Sequence, residues 1–564
     1  MPVTDMSHRL GGSIVSHIRI ALSQQASLAR QGVRLYQAKS FHGIAYSVMA
    51  SPTANRSYEH ALDMLSQLQS NKAVTNLFSP NPATTGPTDD LNALAIPEMQ
   101  AWLRRAGYTP ADLSALRCVH VAGTKGKGST AALTAAILTQ YAAATTPGSS
   151  PVGTYSSPHV ASVRERIALD GKAIPKELFA RYFFEVWDRL TEGAVRDGVV
   201  VPEEVGGGVE GPATKPFYFR FLTIMAWHVF LREGVRSAVV ECGIGGEYDP
   251  TNLLPPEAVT AAVVTQLGID HVAMLGDTVE KIAWHKSGVF KKGVTAYTRK
   301  LPPSQEGVMD VLRKRAEEKE TRLVEISDEE VEAWGGVEGA ALQGPFQKYN
   351  MALAVAAARE HILRTGGRFD GDFANSNYRL GSIPPEFEAG LRQAALRGRC
   401  EVYKDEYGVE WFLDGAHTED SIAGIGQWFA SMTAEPDTQR ILVFNQQDRD
   451  SAGLLRTLLA SATGGIGSTA RTFSHAIFTR NEEKPPADGE PARDLAVQES
   501  TCEAMREVEP RTQSSTQDAV ETTVELVRGI AKESRAQGKS CKVLVTGSFH
   551  LVGPMIKSIE HVEC

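Results

Sequence analysis

The run His120-Val-Ala-Gly-Thr-Lys-Gly-Lys-Gly-Ser-Thr130 ends a short β-branched strand and leads into a helical pattern at 131–140. Glycines let the backbone approach a ligand closely, and N–H groups at a helix N-terminus bind phosphate oxygens. The run therefore predicts a phosphate-binding loop in which Lys127 faces the terminal phosphates. Ser129 or Thr130 offers a hydroxyl to Mg²⁺ or to a phosphate. A glycine-rich turn without a ligand is the alternative.

Short β-branched runs recur along the chain, each followed by glycine-rich turns and a helical pattern. This alternation is typical of a doubly wound α/β sheet. A second α/β pattern starts near Gly398. We therefore expect a P-loop doubly wound ATP-binding domain followed by a smaller Rossmann-like α/β C-terminal domain. The predicted strands are Cys118-Val-His-Val-Ala, Ser237-Ala-Val-Val-Glu, Val259-Thr-Ala-Ala-Val-Val-Thr, Val294-Thr-Ala-Tyr, Trp411-Phe-Leu, Ile441-Leu-Val-Phe and Val543-Leu-Val-Thr.

The length of 564 residues exceeds what one hydrophobic core holds, so we predict two domains and an extension. The extension is residues 1–50, the ATP-binding domain is 51–396 and the C-terminal domain is 397–564. Residues 464–517 are rich in Ser, Thr, Pro and charge, and we interpret much of this interval as a surface insertion. Two shorter stretches, Ser79–Thr88 and Glu203–Lys215, have a similar composition.

Composition narrows the class of protein. The net charge of -9 and the pI near 5.9 argue against a general nucleic-acid binder. No apolar run approaches the roughly 18 residues that a membrane span needs. The six cysteines are scattered without paired short spacing, which is typical of a reducing compartment.

The N-terminal fifty residues differ from the rest. No acidic residue occurs between Asp5 and Glu59, while arginine and lysine accumulate among Ser, Ala and Gln. This pattern predicts an organelle transit peptide, with a disordered tail as the alternative. Because Met49 lies where the stretch ends, we expect two start sites, one giving a mitochondrial form and one a cytoplasmic form.

Two polar residues follow neighbouring predicted strands. Glu241 ends one strand, and His271 follows the next within Thr265-Gln-Leu-Gly-Ile-Asp-His271. Ligands gather at the carboxyl ends of strands in open α/β sheets, so both side chains are candidate metal ligands. An oxygen ligand with one imidazole suits Mg²⁺ or Mn²⁺ better than structural zinc. A structural carboxylate and an ordinary surface histidine are the alternatives.

The phosphate loop departs from the pattern G-x-x-x-x-G-K-[ST], because Gly128 separates Lys127 from Ser129. This variant disfavours ordinary kinases and G proteins and resembles the Mur ligase and folylpolyglutamate synthase superfamily. The superfamily carries a metal-binding serine in the loop that Ser156-Ser-Pro-His159 matches, which implies Ser157. The resemblance also implies that Lys286 matches a lysine carbamylated by CO₂ in bacterial relatives, whereas an isolated helix lysine is normally a solvated surface residue.

Further motifs resemble the folylpolyglutamate synthase family, in its eukaryotic and fungal style, over about residues 58 to 557. They are Phe346-Gln-Lys-Tyr-Asn350, Arg397-Gly-Arg399, Leu413-Asp-Gly-Ala-His417 and Leu544-Val-Thr-Gly-Ser-Phe-His-Leu-Val-Gly553. By this resemblance four residues contact ATP from the hinge and the smaller domain, namely Asn350, Arg399, Asp414 and His417. A helix cap, a surface charge and an ordinary turn are the alternatives for Asn350, Arg399 and Asp414.

The resemblance implies a site and a reaction. The ATP-binding residues of the loop are Gly123, Thr124, Gly126, Lys127, Gly128, Ser129 and Thr130; the metal ligands are Ser157, Glu241 and His271; and the catalytic residues are Lys127, Lys286 and His271. The implied substrates are ATP, L-glutamate and a reduced folate, the implied cofactors are Mg²⁺ and a monovalent cation such as K⁺, and a monomer is expected. The reaction joins glutamate to folate in γ-linkage through an acyl phosphate, with release of ADP and phosphate.

Three alternatives to this reaction can be compared with the sequence. A dihydrofolate synthase uses the same machinery on dihydropteroate, and a pocket preference cannot be read from a loop. A Mur-type cell-wall ligase is disfavoured, because no segment resembles the N-terminal nucleotide-sugar domain of those enzymes. A non-catalytic nucleotide-binding protein is disfavoured because Glu241, His271 and Lys286 occur together, and a binding module needs no second metal site.

Overall fold

We describe the protein from a computed structural model that covers residues 56–68, 94–203, 207–342, 344, 346–375, 379–435, 437–447, 450–462, 472–487 and 489–560. The predicted transit segment at 1–50, the second start at Met49 and the predicted insertion Ser79–Thr88 lie outside these residues. Within them, no helix has both the length and the apolar character that a bilayer span requires.

The first sheet has eight strands in the order β4-β3-β2-β5-β1-β6-β7-β8. The strands are β1 (Cys118–Ala122), β2 (Val152–Tyr155), β3 (Ile167–Leu169), β4 (Lys172–Ala173), β5 (Ser237–Glu241), β6 (Val259–Val264), β7 (Thr295–Arg299) and β8 (Arg322–Ile326). The central strand β1 runs parallel to both β5 and β6. Since the carboxyl ends of parallel strands share one edge, the loops after β1, β5 and β6 meet there.

Helices cover both faces of this sheet. They are α1 (Tyr58–Ser66), α2 (Ala95–Arg105), α3 (Lys127–Thr145), α4 (Lys176–Arg196), α5 (Tyr218–Arg232), α6 (Val272–Leu275), α7 (Val279–Lys286), α8 (Glu306–Glu318), α9 (Asp328–Trp334), α10 (Gln347–Arg364) and α11 (Pro385–Gln393). Alternate residues of a strand point to opposite faces. In β1, Val119 and Val121 pack with α3, α10 and α11, whereas Cys118 joins the cluster of α1, α2, α4 and α5.

The second sheet has six strands in the order β13-β12-β11-β14-β10-β9. Its strands are β9 (Glu401–Lys404), β10 (Val409–Leu413), β11 (Thr438–Phe444), β12 (His475–Thr479), β13 (Gln513–Gln517) and β14 (Ser540–Thr546), and its helices are α12 (Glu419–Met432), α13 (Ser451–Ala462), α14 (Ala496–Val508), α15 (Val520–Ala536) and α16 (Phe549–Glu560). All pairings are parallel except that of the edge strand β9. The predicted α/β class with two sheets is confirmed.

The surface insertion predicted at 464–517 is wrong for the described residues from 472 onward. This interval supplies β12, α14 and β13 to the second sheet. The edge strand β13 has the sequence Gln-Ser-Ser-Thr-Gln and is only partly buried. An edge strand of this kind needs little apolar surface, so its composition resembles that of a loop.

The two sheets are joined between α11 and β9, the interval in which we predicted the domain boundary. A loop of the first domain, residues 156–166, contacts the second domain. Val160 and Ala161 pack against the core formed by β10, β14 and α16. A Cβ atom added to Gly553 would overlap the carbonyl oxygen of Val160, so the two backbones touch here.

The contact between α3 and α11 offers a test of the packing. A Cβ atom at Gly390 would lie 2.6 Å from Ile137 Cα and 2.7 Å from Ile137 N. We expect Gly390→Ala to lower the free energy of unfolding by about 1–3 kcal/mol, because the two helices must separate. Gly529→Ala in α15 is the control, since a Cβ there meets no atom within 4 Å. Thermal and urea denaturation measure the stability of both variants. Equal midpoints for Gly390→Ala and Gly529→Ala would contradict the packing described.

Candidate active site

The phosphate loop spans the four residues between β1 and α3. Gly123 and Gly126 have φ values of 147° and 87°, which favour glycine. A Cβ atom on Gly123 would overlap Thr265, and one on Gly126 would overlap the side-chain oxygen of Asn350. The backbone N–H groups of Thr124 and Lys125 donate to Gln266 O at 2.9 and 3.1 Å. The loop is therefore held between the end of β6 and the start of α10.

Two lysine side chains converge on this loop. Lys127 Nζ donates to Gly123 O at 3.0 Å and to Thr124 O at 3.4 Å, and Lys286 Nζ donates to Gly123 O at 2.8 Å. Lys286 is 2% exposed. Burial, and next the charge of Lys127, lower the pKa of Lys286 to about 7. The alternative of a solvated surface lysine therefore does not hold for Lys286.

Glu241 lies at the end of β5, opposite Val121 of β1, and is 3% exposed. Its Oε2 accepts from the backbone N–H of Ser157 at 3.1 Å. Burial raises the pKa of Glu241, and Lys127, the Ser157 N–H, Arg399 and Arg166 oppose this. A Cβ added to Gly128 would lie 3.6 Å from Glu241 Oε2, so the carboxylate faces the first turn of α3.

The loop that carries Ser157 has its own internal support, which sequence reasoning missed. Glu165 accepts from the backbone N–H groups of Val160, Ala161 and Ser162 at 2.8 to 3.0 Å. Arg166 Nε donates to His159 Nδ1 at 2.8 Å. Burial, then the charges of Arg166 and Lys557, lower the pKa of His159 to about 3. The available signal was the closeness of Glu165 and Arg166 in the sequence to the Ser156-Ser-Pro-His159 motif.

His271 precedes α6 with a left-handed φ of 49°. Its Nε2 lies 3.5 Å from Asp270 Oδ2, and its side chain is 40% exposed. Burial and the charges of Lys127 and Lys286 lower its pKa, while Asp270 raises it. Across the described segments, no three His, Cys, Asp or Glu side chains form a metal-binding group. A metal at Glu241 and His271 therefore needs further ligands of another kind, such as the Ser157 hydroxyl.

Asn350 connects α10 to the base of the phosphate loop. Its Oδ1 accepts from Thr130 Oγ1 at 3.5 Å, and its Nδ2 donates to Gln347 Oε1 at 2.9 Å. Gln347 in turn donates to Ser129 Oγ at 3.4 Å. Both hydroxyls of the first turn of α3 are thus tied to α10, a contact in which Gln347 was not predicted.

The second domain brings Arg399 and Asp414 to the same region. Asp414 is 5% exposed and accepts from the N–H groups of Cys400 and Ala416, each at 2.8 Å. Burial raises the pKa of Asp414, and Arg399 opposes this. Burial lowers the pKa of Arg399, and Asp414 and Glu241 oppose this. Arg399 therefore lies in the field of one carboxylate from each domain.

Aromatic and polar contacts complete the second domain's side of the site. The Arg399 guanidinium carbon lies 4.0 Å from the ring centroid of Phe549, a residue that the sequence did not single out. His417 Nδ1 donates to Gly415 O at 2.8 Å, and its ring lies 6.2 Å from that of Phe549. Lys125 Nζ pairs with Asp420 Oδ2 at 3.1 Å, which links the loop to α12.

Comparison with known proteins gives three findings. Residues 400–558 match the family described as dihydrofolate synthetase, C-terminal domain. The folylpolyglutamate synthase of Saccharomyces cerevisiae (strain YJM789) is 38% identical over an alignment of 522 residues, and the match covers 90% of this chain and 88% of the yeast protein. The structure of Mycobacterium tuberculosis folylpolyglutamate synthase complexed with ADP and AMPPCP has a TM-score of 0.59 and 22% identity, and covers 83% of this chain and 96% of that one.

A second solved structure has a similar fold. Folylpolyglutamate synthase from Thermotoga maritima has a TM-score of 0.58 and 21% identity, covering 82% of this chain and 93% of that one. At such identities, the two solved structures show the likeness of fold alone.

The glycine requirement of the loop can be tested at Gly126. We expect Gly126→Ala to weaken nucleotide binding at least about tenfold, because the added Cβ displaces Asn350 and strains a positive φ. Gly171→Ala is the matched control, since Gly171 has a φ of 74° with no atom within 4 Å of an added Cβ. Titration with a fluorescent ADP analogue measures both; unchanged affinity in Gly126→Ala would refute the loop's assignment.

Proposed function

The chain belongs to the folylpolyglutamate synthase family, ligases that add glutamate to folates using ATP, and we propose that Lys127, Glu241 and Arg399 surround the transferred phosphoryl group. The observation that carries this proposal is their convergence from α3, β5 and the second domain. Charges brought to one point from three segments suit a reaction between anions.

The negative charges of the two reactants determine what the site must do. A folate γ-carboxylate attacks the γ-phosphate of ATP, and these two anions repel each other. Lys127 and the N–H groups at the start of α3 neutralise the phosphate oxygens, while Arg399 approaches from the second domain. The products of this step are an acyl phosphate and ADP. The amine of glutamate then attacks the acyl carbon, releases phosphate and leaves a γ-linked amide.

The residues present fit Mg²⁺. Glu241 is a buried carboxylate that, among the described residues, accepts one hydrogen bond, from the Ser157 backbone N–H. A buried charge of this kind is stabilised by a cation. Glu241, the Ser157 hydroxyl and His271 would hold the ion, with ATP oxygens as the remaining ligands. When bound, it supplies positive charge to the phosphates. A monovalent cation such as K⁺ is a second proposed cofactor.

Lys286 is proposed to carry a carbamate. Its lowered pKa favours the neutral amine, which is the form that attacks CO₂ and loses a proton. The modification replaces a positive charge beside Gly123 with a negative one, which suits a second cation. Electron density at Nζ is the test, and an unmodified amine in a high-resolution crystal structure grown with bicarbonate would count against it.

The acceptor has two candidates. We propose a tetrahydrofolate or its polyglutamates, since the yeast relative is a folylpolyglutamate synthase. The match of residues 400–558 to the dihydrofolate synthetase C-terminal domain favours dihydropteroate as the second candidate. Both reactions use the same phosphate loop, so the difference lies in the acceptor pocket.

The purified protein, ATP, Mg²⁺ and labelled glutamate test both candidates with each acceptor in turn. We expect labelled product and ADP with tetrahydrofolate, and neither without an acceptor. ATP binding without ADP release would support a non-catalytic nucleotide-binding protein, and ADP release independent of folate and glutamate would support an unrelated ATPase. Label incorporated only with dihydropteroate would assign the second candidate.

The same assay tests the assigned side chains. We expect Lys127→Ala and Glu241→Ala to abolish ligation while circular dichroism shows that the fold stays intact, because each removes a charge next to the reacting phosphate. The exposed pair Lys292 and Glu320 supplies matched controls, Lys292→Ala and Glu320→Ala, with full activity. Retained ligation in either site variant would refute its role.

The proposal extends to the protein's location and state. The basic N-terminal segment supports a mitochondrial form, and a start at Met49 supports a cytoplasmic form. Each is proposed to be a monomer. N-terminal sequencing of the protein from separated mitochondria and cytosol is the measurement, and an uncleaved Met1 product in both fractions would contradict two forms.

A further inference from the structure

His159 has one ring nitrogen fixed by a neighbour. Arg166 Nε lies 2.8 Å from His159 Nδ1. A guanidinium stays protonated in proteins and can only donate, so Nδ1 must accept. The ring proton therefore sits on Nε2. His159 is thus held as the tautomer that presents a donor at its outer end.

The other ring nitrogen, Nε2, has neither a hydrogen-bond partner among the described residues nor full burial. Within the described segments, no acceptor is hydrogen-bonded to Nε2, and this atom is not among the fully buried polar atoms without a partner. His159 itself is half-buried. Its outer donor therefore keeps contact with solvent, so that a substrate atom can reach it.

Two cations act on the imidazole that carries this donor. Arg166 lies on the same loop, and Lys557 lies on α16 of the second domain; both act electrostatically on the imidazole. A neutral N–H donor in the field of two positive side chains favours an anionic acceptor. Carboxylates are the anions that the proposed reaction brings to the site besides the phosphates of ATP.

The location agrees with this chemistry. Two residues away, Ser157 N donates to Glu241, and the charge of Arg166 also acts on Glu241. The three N–H groups held by Glu165 fix the shape of the loop between His159 and Arg166. The donor is thus carried on a rigid segment at the edge of the site.

We propose that His159 is a specificity-determining residue that donates from Nε2 to a carboxylate of an acceptor folate or of free glutamate. This inference rests on the proposed function and adds a recognition residue to it. Arg166 sets the tautomer, and the substrate carboxylate accepts a hydrogen bond from the Nε2–H of the ring.

Two substitutions separate donation to substrate from support of Arg166. In His159→Asn, Oδ1 stands where Nδ1 stood and still accepts from Arg166, but the outer donor is lost. In His159→Gln, an amide N–H₂ reaches the outer position, and no acceptor remains at the Nδ1 position. Steady-state kinetics of the full chain, with ATP, glutamate and tetrahydrofolate varied separately, compares both with the wild type.

We expect His159→Asn to raise the KM of one carboxylate substrate at least about tenfold, the usual effect of losing a hydrogen bond to a charged group. The KM of ATP should stay within about twofold, and His159→Gln should keep the affected KM within about threefold of wild type. The substrate whose KM rises, folate or glutamate, identifies the source of the carboxylate.

The opposite pattern overturns the inference. A normal His159→Asn with an impaired His159→Gln would mean that His159 only positions Arg166. Two normal variants, or a parallel loss of kcat and thermal midpoint in both, would also refute recognition by Nε2. A wild-type protein without glutamate-dependent ADP release is a different result, since it would refute the proposed function itself.

Discussion

Burial of the Glu241 carboxylate at the end of β5 is the constraint on which the rest of the site depends. A carboxylate removed from water must be balanced by cations or hydrogen bonds, or it takes up a proton. Here the balance comes from separate segments: Lys127 from α3, Arg166 from the 156–166 loop and Arg399 from the second domain. None of these segments can move far without exposing the charge of another.

The balance of charge around Glu241 also links the two domains. Arg399 is the one of these cations that belongs to the second domain, and it also faces Asp414. Its guanidinium lies against the Phe549 ring, and Gly415 leaves the space that this ring occupies, since a Cβ on Gly415 would overlap it. The position of α16 therefore affects the orientation of the Arg399 guanidinium, whose positive charge acts on Glu241 across the domain interface.

Much of this arrangement could be predicted from the sequence. The strand-turn-helix order around Gly123–Thr130 and the strand-end position of Glu241 follow from local patterns. Asp414 and Arg399 came only from resemblance, because an Asp-Gly turn and one arginine have no distinctive pattern. The Arg166–His159 bond, the Phe549 contact and Gln347 depend on tertiary packing, which single-residue spacing does not encode. The polar sequence of β13 did not predict a strand, because an edge strand pairs on one side only and needs little apolar surface.

The contact between Val160 and Gly553 has a consequence for how such a chain can change over generations. The loop backbone rests directly on the backbone of α16, so neither partner has space in which to gain atoms. A larger residue at 553 becomes acceptable only if the loop three residues beyond Ser157 takes another path. Substitutions in α16 of the second domain are therefore limited by the path of the 156–166 loop in the first domain. Chimaeras that exchange one domain alone should require a compensating change at this contact.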